Sequence, residues 1–371
     1  DREGPEPELP RPQWVKIKTR DGGISGSDLH TLLLEDSPML SALTSFPFTL
    51  GHENVGIVAE VGAEVEGLAP GDRVVVEPPL PCAARGITKP CVFCEQGETS
   101  LCQNFAEGNL RPGLAIGSCA DTGGSWSPYF VAHRSQIFPV PAQVSDENAL
   151  MVEPFCVALR SVRRALPPNE ATVVVLGAGV IGLCVVAALR ASGSRARVIA
   201  VAKYPFQAEM MRRLGADEVL AGRDDYVRTI ARLTGSRLYK PLLGQDLLVG
   251  GADIVYECVG SSDTLAHSLR LARSGGTVVV LGLAAKPKGI DWTPIWLHEL
   301  TLKGSFWCST ETVQGRPVRA FQLALQWMAE GKLDLSPLIT HRFRLDDYAQ
   351  AFATTLRRGR NGVIKSVFIF D

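Results

Sequence analysis

Four cysteines fall in one short stretch, Cys82, Cys91, Cys94 and Cys102, spaced C-x8-C-x2-C-x7-C. Four thiolates can close a tetrahedral shell around one zinc ion, and a closed shell leaves no position for water or substrate, so its work is to fold the lobe that carries it. Free reduced thiols are the plainer reading of the same residues. The other cysteines, Cys119, Cys156, Cys184, Cys258 and Cys308, are scattered among apolar neighbours and read as small core residues. A second constellation is Leu176 to Gly182, L-G-A-G-V-I-G, where an apolar run enters a G-x-G-x-x-G turn. Gly177 permits the tight bend, Gly179 lets backbone approach a pyrophosphate, and Gly182 lets helix pack on strand, while Val180 and Ile181 open a helix whose N-terminus favours phosphate charge. A ligand-free βα turn is the bland alternative.

The next strand is predicted over Arg197 to Val201 and ends at Ala202, where an acid would hold the ribose hydroxyls of NAD. Lys203 and Tyr204 follow instead, with Arg212 and Arg213 beyond, and such cations would attract a ribose phosphate. NADP is therefore expected ahead of NAD, against the reading that these are solvated surface charges. Later strand ends, Val259-Gly260 and Leu281-Gly282-Leu283, place glycine where a cofactor would lie along the carboxyl edge of the sheet.

These residues need elements to position them. From Trp14 to about Arg73, short apolar runs alternate with glycine-rich turns, which predicts antiparallel strands. Residues 78 to 112 carry Pro, Gly and Cys without period, a stretch too long for a loop that nothing organises. From Ala171 the order strand, glycine turn, helix, strand predicts a parallel sheet wrapped by helices. Its apolar stretch Gly276 to Leu283 is expected at a sheet edge suited to a subunit interface. After Phe306 a helix is predicted over VRAFQLALQWMAEGKLD, then a closing apolar strand, VIKSVFIF.

GISGSDLH at 23 to 30, GHENVG at 51 to 56, GDRV at 71 to 74, the cysteine lobe, Glu153-Pro154, GAGVIG and IKSVF together resemble the zinc-dependent medium-chain dehydrogenases, and within them the sorbitol, threonine and polyol dehydrogenases. The resemblance covers nearly the whole chain. It implies an α/β protein: a β-rich GroES-like catalytic domain over 1–158 and 307–371, with a zinc lobe at 78–112, and a Rossmann doubly wound parallel-sheet domain over 159–306. It also implies a catalytic zinc held by Ser25, His52, Glu53 and Glu153. Ser25 departs from the family, which has cysteine there, and a protonated hydroxyl is a far poorer zinc ligand than a thiolate. The lobe departs too, since its first two cysteines are normally separated by two residues, which makes Cys82 the least secure ligand. By the same resemblance Ser27 takes a proton from the alcohol, His30 extends the relay, Asp28 orients His52, and Lys365 sits at the cofactor phosphate. Without the resemblance, Ser27 and Asp28 would read as caps of a helix beginning near Leu29, and Glu153 as a helix-entry acid.

Composition bounds the partners. Of 371 residues, 46% are hydrophobic and 21% charged, and 38 basic against 39 acidic side chains give a net charge of -1, so neither nucleic acid nor an anionic membrane is expected as a partner. No apolar run spans a bilayer, and no secretory pattern precedes the Pro-rich DREGPEPELPRP, which leads to an expectation of a cytoplasmic enzyme, with what precedes Asp1 left open. The expected function is reversible NAD(P)-linked oxidation of a secondary alcohol (polyol, sugar-derived or amino alcohol) to a ketone, in a homodimer or homotetramer. Because of Ser25, a zinc-free carbonyl or alkene reductase and a catalytically silent NADPH-binding protein stand as alternatives.

Overall fold

A computed structural model describes residues 6–222 and 225–371. The chain forms two compact units, one built from the residues up to Cys156 together with Cys308–Asp371, the other from Val157–Trp307.

In the first unit the long strand β1 (Trp14–Ile24) leads directly into a short helix, α1 (Gly26–Leu32). The strands β2 (Asn54–Val61), β3 (Arg73–Val76), β4 (Tyr129–His133) and β5 (Ile137–Pro139) follow. β1 pairs antiparallel with both β2 and β4, and β2, β3 and β5 continue antiparallel. Antiparallel strands are expected from Trp14 to about Arg73, and β4 and β5 lie beyond that stretch. Trp14, Val15, Ile17, Val58, Val74, Val76, Phe130 and Ile137 turn inward and form one apolar cluster, the usual consequence of period-two patterning on a sheet with one packed face. The helix α2 (Val152–Arg164) carries Glu153 and Pro154 in its first turn, where the missing proline N–H costs nothing.

The second unit is a six-stranded sheet whose paired strands all run parallel. In chain order its elements include β6 (Thr172–Leu176), α3 (Val180–Ala191), β7 (Arg197–Ala202), α4 (Pro205–Arg213), β8 (Glu218–Ala221), β9 (Ala252–Glu257), α5 (Ser262–Leu271), β10 (Ala272–Val280) and β11 (Thr301–Gly304). The spatial order is β11-β10-β9-β6-β7-β8. Val173 to Leu176 are buried without alternation because helices cover both faces of the sheet. Gly276 to Leu283 is not a sheet edge: β10 is paired on both sides, by β9 and β11, and the edge passes to Thr301–Gly304.

The chain then completes the first unit. The predicted helix begins only at Ala320, because Arg316–Arg319 pairs with Thr310–Val313 in a two-stranded ribbon. The strands β12 (Ile339–Arg344) and β13 (Lys365–Ile369) run parallel to each other, and β13 adds antiparallel to β1. This brings the C-terminal strand beside the residues that lead into α1. No helix among the described residues is long and apolar enough to cross a membrane.

Candidate active site and cysteine lobe

Ser25 follows β1 in an extended conformation and caps α1, so strand passes to helix just where the first expected metal ligand stands. Asp28, at the third helical position and 3% exposed, uses its two oxygens differently. One accepts the Ser25 backbone N–H at 2.9 Å, and the other faces His52 Nδ1 at 3.2 Å. The capping role and the His-orienting role are thus performed by a single carboxylate. With Nδ1 facing Asp28, Nε2 is the ring nitrogen that a metal would take.

His52, Glu53 and Glu153 come together with their candidate ligand atoms within 4.8 Å of one another. Glu53 and Glu153 are 2% and 5% exposed. Burial works against a charged His52, but Asp28, Glu153 and Glu53 outweigh it and push its pKa up to about 9. One imidazole nitrogen with two buried carboxylates is a donor set that could hold zinc.

Glu53 has a second partner. Lys365 Nζ, 2% exposed, is ion-paired with the Glu53 carboxylate and donates to the Ile24 carbonyl at 3.1 Å. The assignment of Lys365 to a cofactor phosphate is therefore corrected: its ammonium is sealed inside the first unit, where β13 lies against the end of β1. Gly23 makes room for this arrangement, since a Cβ there would stand 1.9 Å from Glu53 Oε2.

Ser27 donates to Ser25 Oγ at 3.0 Å, so the proposed proton acceptor is turned toward the ligand position and not toward His30. His30 lies on the outer side of α1, 36% exposed, with Nε2 4.0 Å from Glu35. Sequence reasoning missed Ser125 and Trp126. Ser125 donates from its backbone N–H to Gly51 O at 2.9 Å and from Oγ to Glu53 O at 2.8 Å, while Trp126 Nε1 donates to Gly23 O at 2.9 Å. They brace the turn bearing His52, yet a serine and a tryptophan some seventy residues downstream carry no motif that marks them.

The four lobe cysteines also converge, with every Sγ within 4.8 Å of the others, Cys82 included, and Cys82 and Cys102 3.6 Å apart. Backbone N–H groups point at the sulfurs: Cys91 N at Cys82, Gln103 N at Cys91 and Asn104 N at Cys102, with Asn104 Nδ2 3.1 Å from Cys82 Sγ. Donors aimed at sulfur favour thiolate, and burial otherwise raises Cys102 to about 11, so the cluster fits a thiolate-bound zinc. Arg85, a further residue the motif did not reveal, lies fully buried inside the long Cys82–Cys91 spacer.

In the second unit Gly177 adopts φ +102° at the end of β6, and a Cβ on Gly182 would stand 1.9 Å from Gly177 O. That contact is the close helix–strand approach the motif requires, and it leaves Gly179, Val180 and Ile181 at the N-terminus of the apolar helix α3. Ala202 is buried at the end of β7; Lys203 is exposed, with Nζ 5.6 Å from the Tyr204 ring centroid, and Tyr204 stacks on Phe206. Arg212 and Arg213 are exposed at the end of α4. The other glycine corners meet: Gly282 abuts Gly260, Leu283 adjoins them, and buried Glu257 accepts the N–H groups of Val259 and Gly260 while its carbonyl accepts those of Leu281 and Gly282.

Known proteins resemble the chain over most of its length. Residues 11–142 match the alcohol dehydrogenase GroES-like domain and residues 180–329 the zinc-binding dehydrogenase domain. The chain is 31% identical to L-idonate 5-dehydrogenase of Vitis vinifera, over 96% of this chain and 88% of that protein. It is 30% identical to sorbitol dehydrogenase of Arabidopsis thaliana, over 95% and 87%. Among solved structures, a zinc-binding dehydrogenase from Sinorhizobium meliloti 1021 with NADP bound superposes with a TM-score of 0.77 at 28% identity, covering 100% of this chain and 95% of the other. The 2R,3R-butanediol dehydrogenase of Bacillus subtilis gives 0.75 at 28%, covering 100% and 96%. The chain belongs to the zinc-dependent medium-chain dehydrogenase family and is an NAD(P)-dependent oxidoreductase acting on alcohols.

Proposed function

We propose that the enzyme reversibly oxidises a secondary alcohol bearing polar neighbours, a polyol, sugar-derived or amino alcohol, with NADP preferred to NAD. The observation that carries this reading is the convergence of His52, Glu53 and Glu153 on one point with Asp28 behind His52. Relatives are named as dehydrogenases of L-idonate, sorbitol and L-threonine, compounds that carry secondary hydroxyls with polar neighbours. His52 and Glu153, with Ser25 and Glu53 beside them, would hold zinc, which would supply polarisation of the substrate oxygen, and bound NADP would supply the hydride acceptor. Asp28 keeps His52 in the tautomer that offers Nε2. The Ser25–Ser27 hydroxyl pair can carry the alcohol proton away from the site, and half-exposed His30 stands further along α1 toward solvent. Lys203, with Arg212 and Arg213, would favour the additional ribose phosphate. The edge strand β11 exposes Leu302, with Trp292 and Trp296 exposed just before it, and this surface suits a homodimer or homotetramer.

One observation favours a zinc-free reductase as the second reading: Ser25 and Glu53, two of the four ligand positions, are already engaged by Ser27 and Lys365. Elemental analysis combined with NADP and NAD titration and a panel of secondary alcohols separates the two. About two zinc ions per chain with turnover supports the alcohol dehydrogenase, and about one zinc with ketone or alkene reduction alone overturns it.

A further inference from the structure

The spacer between Cys82 and Cys91 contains an arginine with no accessible surface. Arg85 spends its guanidinium on backbone carbonyls: Nε on Leu80 at 3.2 Å, Nη1 on Glu107 and Leu110 at 2.9 and 3.2 Å, and Nη2 on Arg111 and Gly113 at 3.3 and 2.6 Å. Its own backbone carbonyl accepts the Asn109 N–H at 2.9 Å. One side chain therefore ties the arm entering the lobe to the arm leaving it, residues 107–113.

Carbonyl oxygens satisfy the geometry of a guanidinium but not its charge, and a buried charge costs heavily unless an anion answers it. Burial lowers the Arg85 pKa, and the groups that oppose this are Cys119, Cys102, Asp121 and Cys82. Asp121 is engaged elsewhere, accepting the Arg111 backbone N–H at 2.6 Å and Arg111 Nε at 2.7 Å. Two of the remaining groups, Cys82 and Cys102, belong to the zinc-type cluster. Four thiolates on one divalent ion would leave a net negative centre, and Arg85 is a buried cation in the spacer between two of its ligands.

The outgoing arm continues to the active site. Leu114 N donates to Leu43 O, Gly117 N to Gly123 O, and two residues on Ser125 grips Gly51 and Glu53. We propose that Arg85 is a positioning residue: it clips the outgoing arm, supplies the positive charge that balances a zinc–thiolate lobe, and through that arm steadies the turn bearing His52 and Glu53. The proposal rests on the reading of the lobe as a zinc site.

The test compares Arg85→Met, which keeps bulk but removes charge and fork, with Arg85→Lys, which keeps charge but cannot reach five carbonyls. Zinc release to a chromogenic chelator is followed on the purified full-length protein, with far-UV circular dichroism and NADP binding to check folding. Arg85→Met is expected to release lobe zinc about tenfold faster or more, with Arg85→Lys between it and the wild type, as for other residues that support ligands from behind. Lobe release from Arg85→Met within about twofold of wild type would overturn the proposal. Equal release from the two variants would overturn the charge role. If Arg85→Met does not fold, Arg85→Lys must still release zinc faster than wild type, and failure to do so overturns the clip. A wild-type protein that holds no zinc in the lobe refutes the lobe reading and the proposal with it, whereas a zinc-loaded wild type with indifferent variants refutes the proposal alone.

Discussion

Replacing Lys365 by methionine asks how strongly the active-site wall depends on one buried ion pair. Both partners are 2% exposed, so neither can recover hydration without opening the junction of β1 and β13. Lys365→Met keeps the stem but strands the Glu53 carboxylate beside Glu153 and near Asp28, the groups that already share His52 as a common neighbour. Removing one member of a buried pair costs about 3–5 kcal/mol because the survivor stays buried and uncompensated. In a chain of this size that is a fall in melting temperature on the order of 10 °C. Glu53→Gln strands the ammonium in turn, leaving it the Ile24 carbonyl. The double variant Lys365→Met with Glu53→Gln removes both charges, so its loss should be smaller than the sum of the singles by about 2 kcal/mol. Thermal and urea unfolding of all four proteins, followed by tryptophan fluorescence, gives the cycle. Additive losses, or a Lys365→Met variant within about 1 kcal/mol of wild type, would show that water reaches the pair and that Glu53 is not locked.

Asp28→Asn keeps the helix cap but loses the anion behind His52, and zinc affinity at the active site should drop about 10–100-fold in chelator competition, no change refuting the orienting role. His52 must lose its proton to ligate, and with its pKa pushed up to about 9 the apparent zinc affinity should rise about tenfold per pH unit from 7 until it levels near that value, where a flat profile would contradict the geometry. Asp21, pushed up to about 6 by burial and by Asp146 and Glu147, binds its proton in the folded state over a range where the unfolded chain has released it; stability should therefore fall by on the order of 2 kcal/mol as pH rises from 4 to 6, and Asp21→Asn should remove that slope in urea titrations. Gly182→Val drives a side chain into Gly177 O and should weaken NADP binding by about tenfold or more, ~1.4 kcal/mol, with unchanged binding by calorimetry counting against the turn as the phosphate site.

Much of this molecule was legible where residue type alone limits the options. The glycines at 177, 179 and 182 admit few uses besides a βα phosphate turn, and four clustered cysteines have few partners other than a soft metal. What stayed hidden depends on partners remote in sequence. Lys365 lies 312 residues from Glu53, and only the pairing of β13 with β1 brings them together. An exposed cation and a buried one look the same in a sequence, so Lys365 was assigned to a phosphate. Gly276 to Leu283 reads as an edge for a related reason: its apolar run reports burial, whereas edge position depends on whether another strand, here Thr301–Gly304, pairs beside it.

Asp28 shows why choosing between a structural and a functional reading can be the wrong question. A helix start needs an acceptor for its unpaired backbone N–H groups, and a metal-binding imidazole needs one for its second nitrogen. A carboxylate has two oxygens, and at the third position of α1 one reaches the Ser25 N–H while the other reaches His52. The helix cap thereby fixes the carboxylate, and the carboxylate fixes the ring, without a residue devoted to either task. Ser25 retains its place in this device although it no longer supplies sulfur, because its backbone N–H, not its side chain, is what Asp28 holds. Serine in place of a thiolate would therefore weaken the grip on a zinc ion without dismantling the frame that brings His52 to Glu153.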